Sequence, residues 1–209
     1  MPREIDVLPV QLPGREERID EPACRSMPML TAELLEAMAP CLDRPFALFG
    51  HSFGAAVAFE LTRQLRHKPS HLFVSSWVPT DASASPVRPT RLTDPDFIAR
   101  IVHYGGLPEA VANDREMMSV LIKPMRADVE ILETYRPEPP VLLACPTTLL
   151  GGEDDPVMRP ELLERWASHV HGSVPVLFPG GHFYFRRSLP ALIDLVVSTL
   201  RPVLSAMPR

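Results

Sequence analysis

The 209-residue chain is 45% hydrophobic and 22% charged, enough for one domain with a large core and incompatible with a disordered chain. Its 21 basic residues stand against 26 acidic ones, a formal charge of −5. That balance excludes a general nucleic-acid binder and a polybasic membrane anchor.

Residues 5–12 (IDVLPVQL) read as an extended segment stopped by Pro13-Gly14. Residues 29–42 place Met29, Leu30, Leu34, Leu35, Met38 and Leu42 at helical spacing. Residues 46–49 (FALF) form a short apolar run of the kind a buried parallel strand shows, and a helix is expected over 55–66. Further strands are expected at 72–76, 147–150 and 174–178, with helices at 161–170 and 189–204. Strand and helix alternate in the first 80 residues or so and again in the last 65 or so, which implies a mostly parallel sheet with helices on both faces. Residues 1–85 and 141–209 are thus expected to form an α/β core. Residues 86–140 break the pattern: a Pro/Ser/Ala-rich link, helical stretches at 94–104 and 114–134, and a closing Pro137-Glu138-Pro139-Pro140. A helical insertion between two strands of such a sheet is expected to act as a lid over a site.

Cys24, Cys41 and Cys145 are odd in number and lack metal-ligand spacing, so they read as buried or inert thiols of a reducing compartment. No signal peptide is visible at the start, and no run approaches the roughly 18 uncharged apolar residues of a membrane span. Even residues 189–204 carry Asp194 and Arg201. A soluble, cytoplasmic chain without membrane contact is expected.

The chemistry concentrates at Gly50-His51-Ser52-Phe53-Gly54, a G-x-S-x-G pattern between an expected strand and an Ala-rich helix. In this context the pattern is a nucleophile elbow. Small residues flank a turn that presents the Ser52 hydroxyl at a helix start, where free N–H groups and the helix dipole favour negative charge. The Phe53 N–H is expected to point at a developing oxyanion. Of seven histidines, His182 is the best base: Pro179-Gly180-Gly181 carries it off the last expected strand, on the same carboxyl edge as Ser52. The His51 ring is expected to point away from the Ser52 hydroxyl. His67 and His71 read as solvated, His169 and His171 as helix-end residues, and His103 as packing. Gly151-Gly152-Glu153-Asp154-Asp155-Pro156 follows another expected strand and offers two acids to orient the base. Asp155 is favoured over Asp154 for its reach from Gly152. The order Ser52, Asp155, His182 is that of α/β-hydrolases.

These residues resemble the type II thioesterases that accompany polyketide and nonribosomal peptide synthases. The likeness runs through LPVQLPGREER (8–18), the elbow, YGGLP (104–108), PMRAD (124–128), the acid loop and GGHF (180–183). It implies an α/β-hydrolase fold and hydrolysis of acyl thioesters from the phosphopantetheine arm of an acyl or peptidyl carrier protein. Ser52 would be nucleophile, His182 base and Asp155 orienter, with no metal and no cofactor of the protein's own. A monomer is expected. Arg88, Arg91, Arg100, Arg115 and Arg126 are the candidates for meeting an acidic carrier. Family members carry an earlier strand and a Gly-containing loop that supplies a second oxyanion N–H. By that pattern the sequence reads as short at its N-terminus by some tens of residues, and one missing donor costs about 10²–10³ in kcat. The same triad also suits a small-ester esterase or acyltransferase, and a weakened enzyme would suit a carrier-binding module.

Overall fold

The computed structural model describes residues 1–79, 88–137, 142–170 and 175–206. Its centre is a four-stranded parallel sheet in chain order: β1 (Ala47–His51), β2 (His71–Ser75), β3 (Thr147–Gly152) and β4 (Val176–Phe178). The helices are α1 (Met27–Met38), α2 (Phe53–Gln64), α3 (Asp94–His103), α4 (Glu109–Ala112), α5 (Arg115–Thr134) and α6 (Phe185–Ala206). The alternation read from the sequence is therefore present. The expected link at 81–87, Val174 and residues 138–140 lie outside the described residues.

Strand residues point alternately to opposite faces, so β1, β2 and β3 feed two cores, while β4 feeds one and exposes Leu177. Leu72, Val74 and Leu149 pack with Leu30 and Leu34 of α1 and Ala55, Phe59 and Ile131 of α2 and α5. Phe73, Leu150 and Phe178 face the other way, onto Tyr184, Leu192 and Val196. The register joins these sets: Val74 sits beside Leu149, and Ser75 beside Leu150. In the first core Trp166 meets Phe59 and Trp77 edge to face, Phe59 and Trp77 are tilted against each other, and the Trp166 indole donates to the Trp77 carbonyl at 2.9 Å.

Several expectations change. Residues 5–12 form no strand, and Val7, Leu8 and Val10 are exposed. Met29 is exposed on α1, because Met27, Leu30 and Leu34 take the buried stripe. The 161–170 helix is instead a 3-10 helix over Pro160–Ser168. Cys41 is exposed, whereas Cys145 is buried. His71 opens β2, half-buried, with its Nε2 2.8 Å from the Thr148 hydroxyl. His169 caps the C-terminal end of that 3-10 helix, as expected, and is buried against Phe59 and Trp166. α6 begins at Phe185, ahead of the expected Leu189, and contains an 18-residue window of mean hydropathy 1.5. By length and composition it could cross a membrane, although Asp194 and Arg201 interrupt its apolar run as the sequence reading has it. Core helices of soluble proteins pass the same test, and α6 lays Leu192 and Val196 on the sheet.

Between β2 and β3 the three helices α3, α4 and α5 are tied together and to the core. Arg126 donates to Asp94 Oδ1 at 2.6 Å and to the carbonyls of Thr90 and Leu92, with its guanidinium 4.5 Å from the Phe97 ring centroid. Arg126 is thus an internal brace, which removes it from the arginines expected to meet a partner. Arg100 is likewise engaged, donating to the Tyr104 hydroxyl at 2.6 Å.

Arg15, just after Pro13-Gly14, grips Asp128 of α5 with two parallel bonds of 2.8 and 3.0 Å. Burial raises the Asp128 pKa more than Arg15 lowers it, so the pair fixes position more than it adds net stability. Asp128→Ala is expected to cost about 1–3 kcal/mol by leaving a half-buried guanidinium unpaired. Thermal unfolding reads this directly, and an unchanged midpoint would show that the tether carries no load.

Candidate active site

The carboxyl ends of the four parallel strands meet at one rim, the usual place for a site in such sheets. β1 runs straight into the elbow. Ser52 has φ 52 and ψ −116, a strained backbone for a residue with a side chain. The strain is held from both sides: the Ser52 N–H donates to the Ser75 carbonyl at 2.8 Å, and its own carbonyl accepts from Ala55 and Ala56. Gly50 is obligatory, since a Cβ there would lie 2.2 Å from the Gly54 carbonyl oxygen. Phe53 is the first residue of α2. N–H groups in that first turn have no intrahelical acceptor and are available to an anion.

The loops after β3 and β4 are stapled to each other. Glu153 N–H donates to the Phe178 carbonyl at 2.9 Å and Asp154 N–H to the Gly180 carbonyl at 3.0 Å. This brings Asp155 and His182 together: Asp155 Oδ2 lies 2.8 Å from His182 Nδ1, with both side chains buried. The other oxygen, Oδ1, accepts from the N–H groups of Val157 and Met158 at 2.8 and 2.9 Å. Burial alone would raise the Asp155 pKa. The bond with His182, its charge and the two N–H donors outweigh burial and hold the carboxyl below its usual range. Asp154 is exposed, so the geometry separates the two acids that the sequence left in competition.

Ser52 follows His51, and the His51 ring lies against His182 with centroids 4.9 Å apart. His51 thus borders His182, a contact the sequence reading did not foresee. The signal that could have found it is the register. His51 pairs with Ser75 across β1 and β2, so both face the start of α6. No spacing within either strand reveals that pairing.

The insertion touches the same rim. Arg186 donates to the Gly105 carbonyl at 2.7 Å while lying 4.7 Å from the Phe183 ring centroid. Phe183, next to His182, also comes close against Gly105 and Gly106.

Residues 1–200 match the family model described as a thioesterase domain. The chain belongs to the thioesterase family. It is 34% identical over 209 residues to the gramicidin S biosynthesis protein GrsT of Aneurinibacillus migulanus, covering 98% of this chain and 82% of that protein. Among solved structures, the type II thioesterase BorB from the borrelidin biosynthetic cluster is 32% identical, with a TM-score of 0.83 over 93% of this chain and 81% of its own. The RedJ thioesterase from the prodiginine biosynthetic pathway of Streptomyces coelicolor is also 32% identical, with a TM-score of 0.81 over 92% and 75%. The fold is therefore the α/β-hydrolase fold of the type II thioesterases, and the chain is a thioesterase.

Proposed function

We propose that this thioesterase hydrolyses acyl thioesters from the phosphopantetheine arm of acyl or peptidyl carrier proteins, in the cytoplasm, clearing stalled or wrong acyl groups from a synthase. The observation that carries the mechanism is the buried Asp155–His182 bond beside a strained Ser52 elbow.

Asp155 accepts a hydrogen bond from the His182 Nδ1–H, which fixes the tautomer that leaves the Nε2 lone pair free as base. Ser52 Oγ attacks the thioester carbonyl and its proton passes to Nε2. The carbonyl electrons move onto oxygen, where the Phe53 N–H stabilises them. As the carbonyl re-forms, the C–S bond breaks and the thiolate takes the proton from His182. Thiolate leaves readily, so this step asks less of the acid than loss of an amine would. Water, deprotonated by the same imidazole, then cleaves the acyl-Ser52 ester and restores the serine. The reaction draws on the side chains of Ser52, His182 and Asp155 alone, and the phosphopantetheine arrives with the substrate. The helices of the insertion cover the rim as a lid, supported by the contacts of Gly105 and Gly106 with Phe183 and Arg186.

Turnover of an acyl-carrier protein and of acyl-N-acetylcysteamine, beside Ser52→Ala, tests the reading. Ser52→Ala is expected to lower kcat by at least about 10⁴-fold on both. Equal rates for the two proteins would overturn it.

A further inference from the structure

Behind His182 the structure holds a second imidazole that none of those steps uses. His51 Nδ1 lies 2.9 Å from Ser75 Oγ, which in turn lies 2.8 Å from the Tyr184 hydroxyl. Ser75 and Tyr184 are almost fully buried. The His51 ring is boxed by His182, Phe183 and Phe185, with centroids 4.9, 5.1 and 4.9 Å away. Its Nε2 is buried without a hydrogen-bond partner among the described residues.

Counting protons sets the direction of this chain. Ser75 has one hydroxyl proton and two neighbours. If Tyr184 donates to Ser75 and Ser75 donates to His51, only the His51 Nε2–H stays unpaired. In the reverse direction both the Tyr184 proton and the Nε2 lone pair are orphaned. Each buried orphan is costly, so the first direction wins and His51 carries its proton on Nε2.

We propose that His51 is a positioning residue for His182, a neutral ring pinned by Ser75 and Tyr184 that backs the base and holds its orientation toward Asp155 and Ser52. The ring must stay uncharged, because a second imidazolium would repel the one that His182 becomes. The groups facing it are His182, Asp155, Arg186 and Tyr184. Burial and then His182 pull the His51 pKa down to about 3, Asp155 opposes them and Arg186 adds to them. A buried imidazole thus supplies bulk and a fixed tie without charge across the neutral range. A smaller side chain would leave His182 room to rock, and small misplacement of a catalytic group is expensive.

The proposal rests on His182 acting as base, and its main readout is independent of substrate. The low-field proton signal of the His182 Nδ1–H···Asp155 bond is followed by NMR on the resting protein. His51→Ala is expected to broaden that signal and to lower kcat about 10- to 30-fold, with KM changed less than about twofold. Tyr184→Phe keeps its ring but unpins Ser75, so it is expected to broaden the signal with a smaller loss, about three- to tenfold. A sharp signal and unchanged kcat in a folded His51→Ala protein would overturn the proposal. Should that variant fail to fold, a sharp signal in Tyr184→Phe overturns it equally. Ser52→Ala must keep the signal while losing turnover, which separates loss of positioning from loss of the reaction.

Discussion

Asp155→Asn is expected to lower kcat about 10⁴-fold while the protein stays folded. The reason lies in how the carboxylate is held. Oδ1 accepts from two backbone N–H groups, Val157 and Met158, and Oδ2 faces His182 Nδ1. An asparagine has one oxygen, and the two N–H donors will claim it. The amide NH₂ then faces His182 Nδ1. Two donors cannot meet there, so the imidazole moves its proton to Nε2 and offers Nδ1 as acceptor. The ring is then in the wrong tautomer to take a proton from Ser52, and any imidazolium lacks its carboxylate. Asp154→Asn is the matched control. Asp154 is exposed and its N–H, which binds the Gly180 carbonyl, is unaffected by the change, so activity should stay within about twofold. Turnover of acyl-N-acetylcysteamine by the two variants decides between the acids, and retention of more than about a tenth of the activity by Asp155→Asn would reject the assignment.

This contrast shows where sequence reasoning reaches. The elbow, the acid loop and the histidine loop each follow a strand, and a parallel sheet sends all strand exits to one rim. Local signals therefore sufficed to bring Asp155 to His182 and to set the Ser52 elbow at the same end of the sheet. That Asp155 rather than Asp154 would reach His182 was legible because Pro156 and the glycines restrict the turn. What stayed hidden depends on contacts between segments. His51 borders His182 only because β1 and β2 pair in the register that puts it beside Ser75. Arg126 looks like a free surface cation in one dimension, and only the packing of α5 on the segment before α3 shows its bonds to Asp94, Thr90 and Leu92. The 3-10 helix at Pro160–Ser168 carries an apolar pattern that mimics an α-helix. Leu163 and Trp166 of this segment are buried in the core, as an α-helical stripe would be. Val7, Leu8 and Val10 have the composition of a strand, yet among the described residues nothing pairs with them.

The second large effect concerns the approach of the two loops. At Gly152 a Cβ would lie 2.3 Å from the Gly181 carbonyl oxygen and 2.4 Å from that of Gly180. Both are backbone atoms, so no side chain can swing aside. Gly152→Ala must therefore push the histidine loop away from β3. That movement strains the Glu153–Phe178 and Asp154–Gly180 bonds and draws His182 from Asp155. The expected cost is about 3–5 kcal/mol, read as a lowered unfolding midpoint, with kcat reduced at least about 10²-fold in whatever folds. The neighbouring glycine gives the comparison. A Cβ at Gly151 meets only the ends of Leu177 and Leu163, at 3.3 and 3.6 Å, and flexible side chains can yield. Gly151→Ala should cost less than about 1.5 kcal/mol and leave kcat within a few-fold. Equal losses from both would mean that the contact of the two loops does not set the geometry of the acid and the base. A selective loss from Gly152→Ala ties the stability of the rim to the distance on which the chemistry depends.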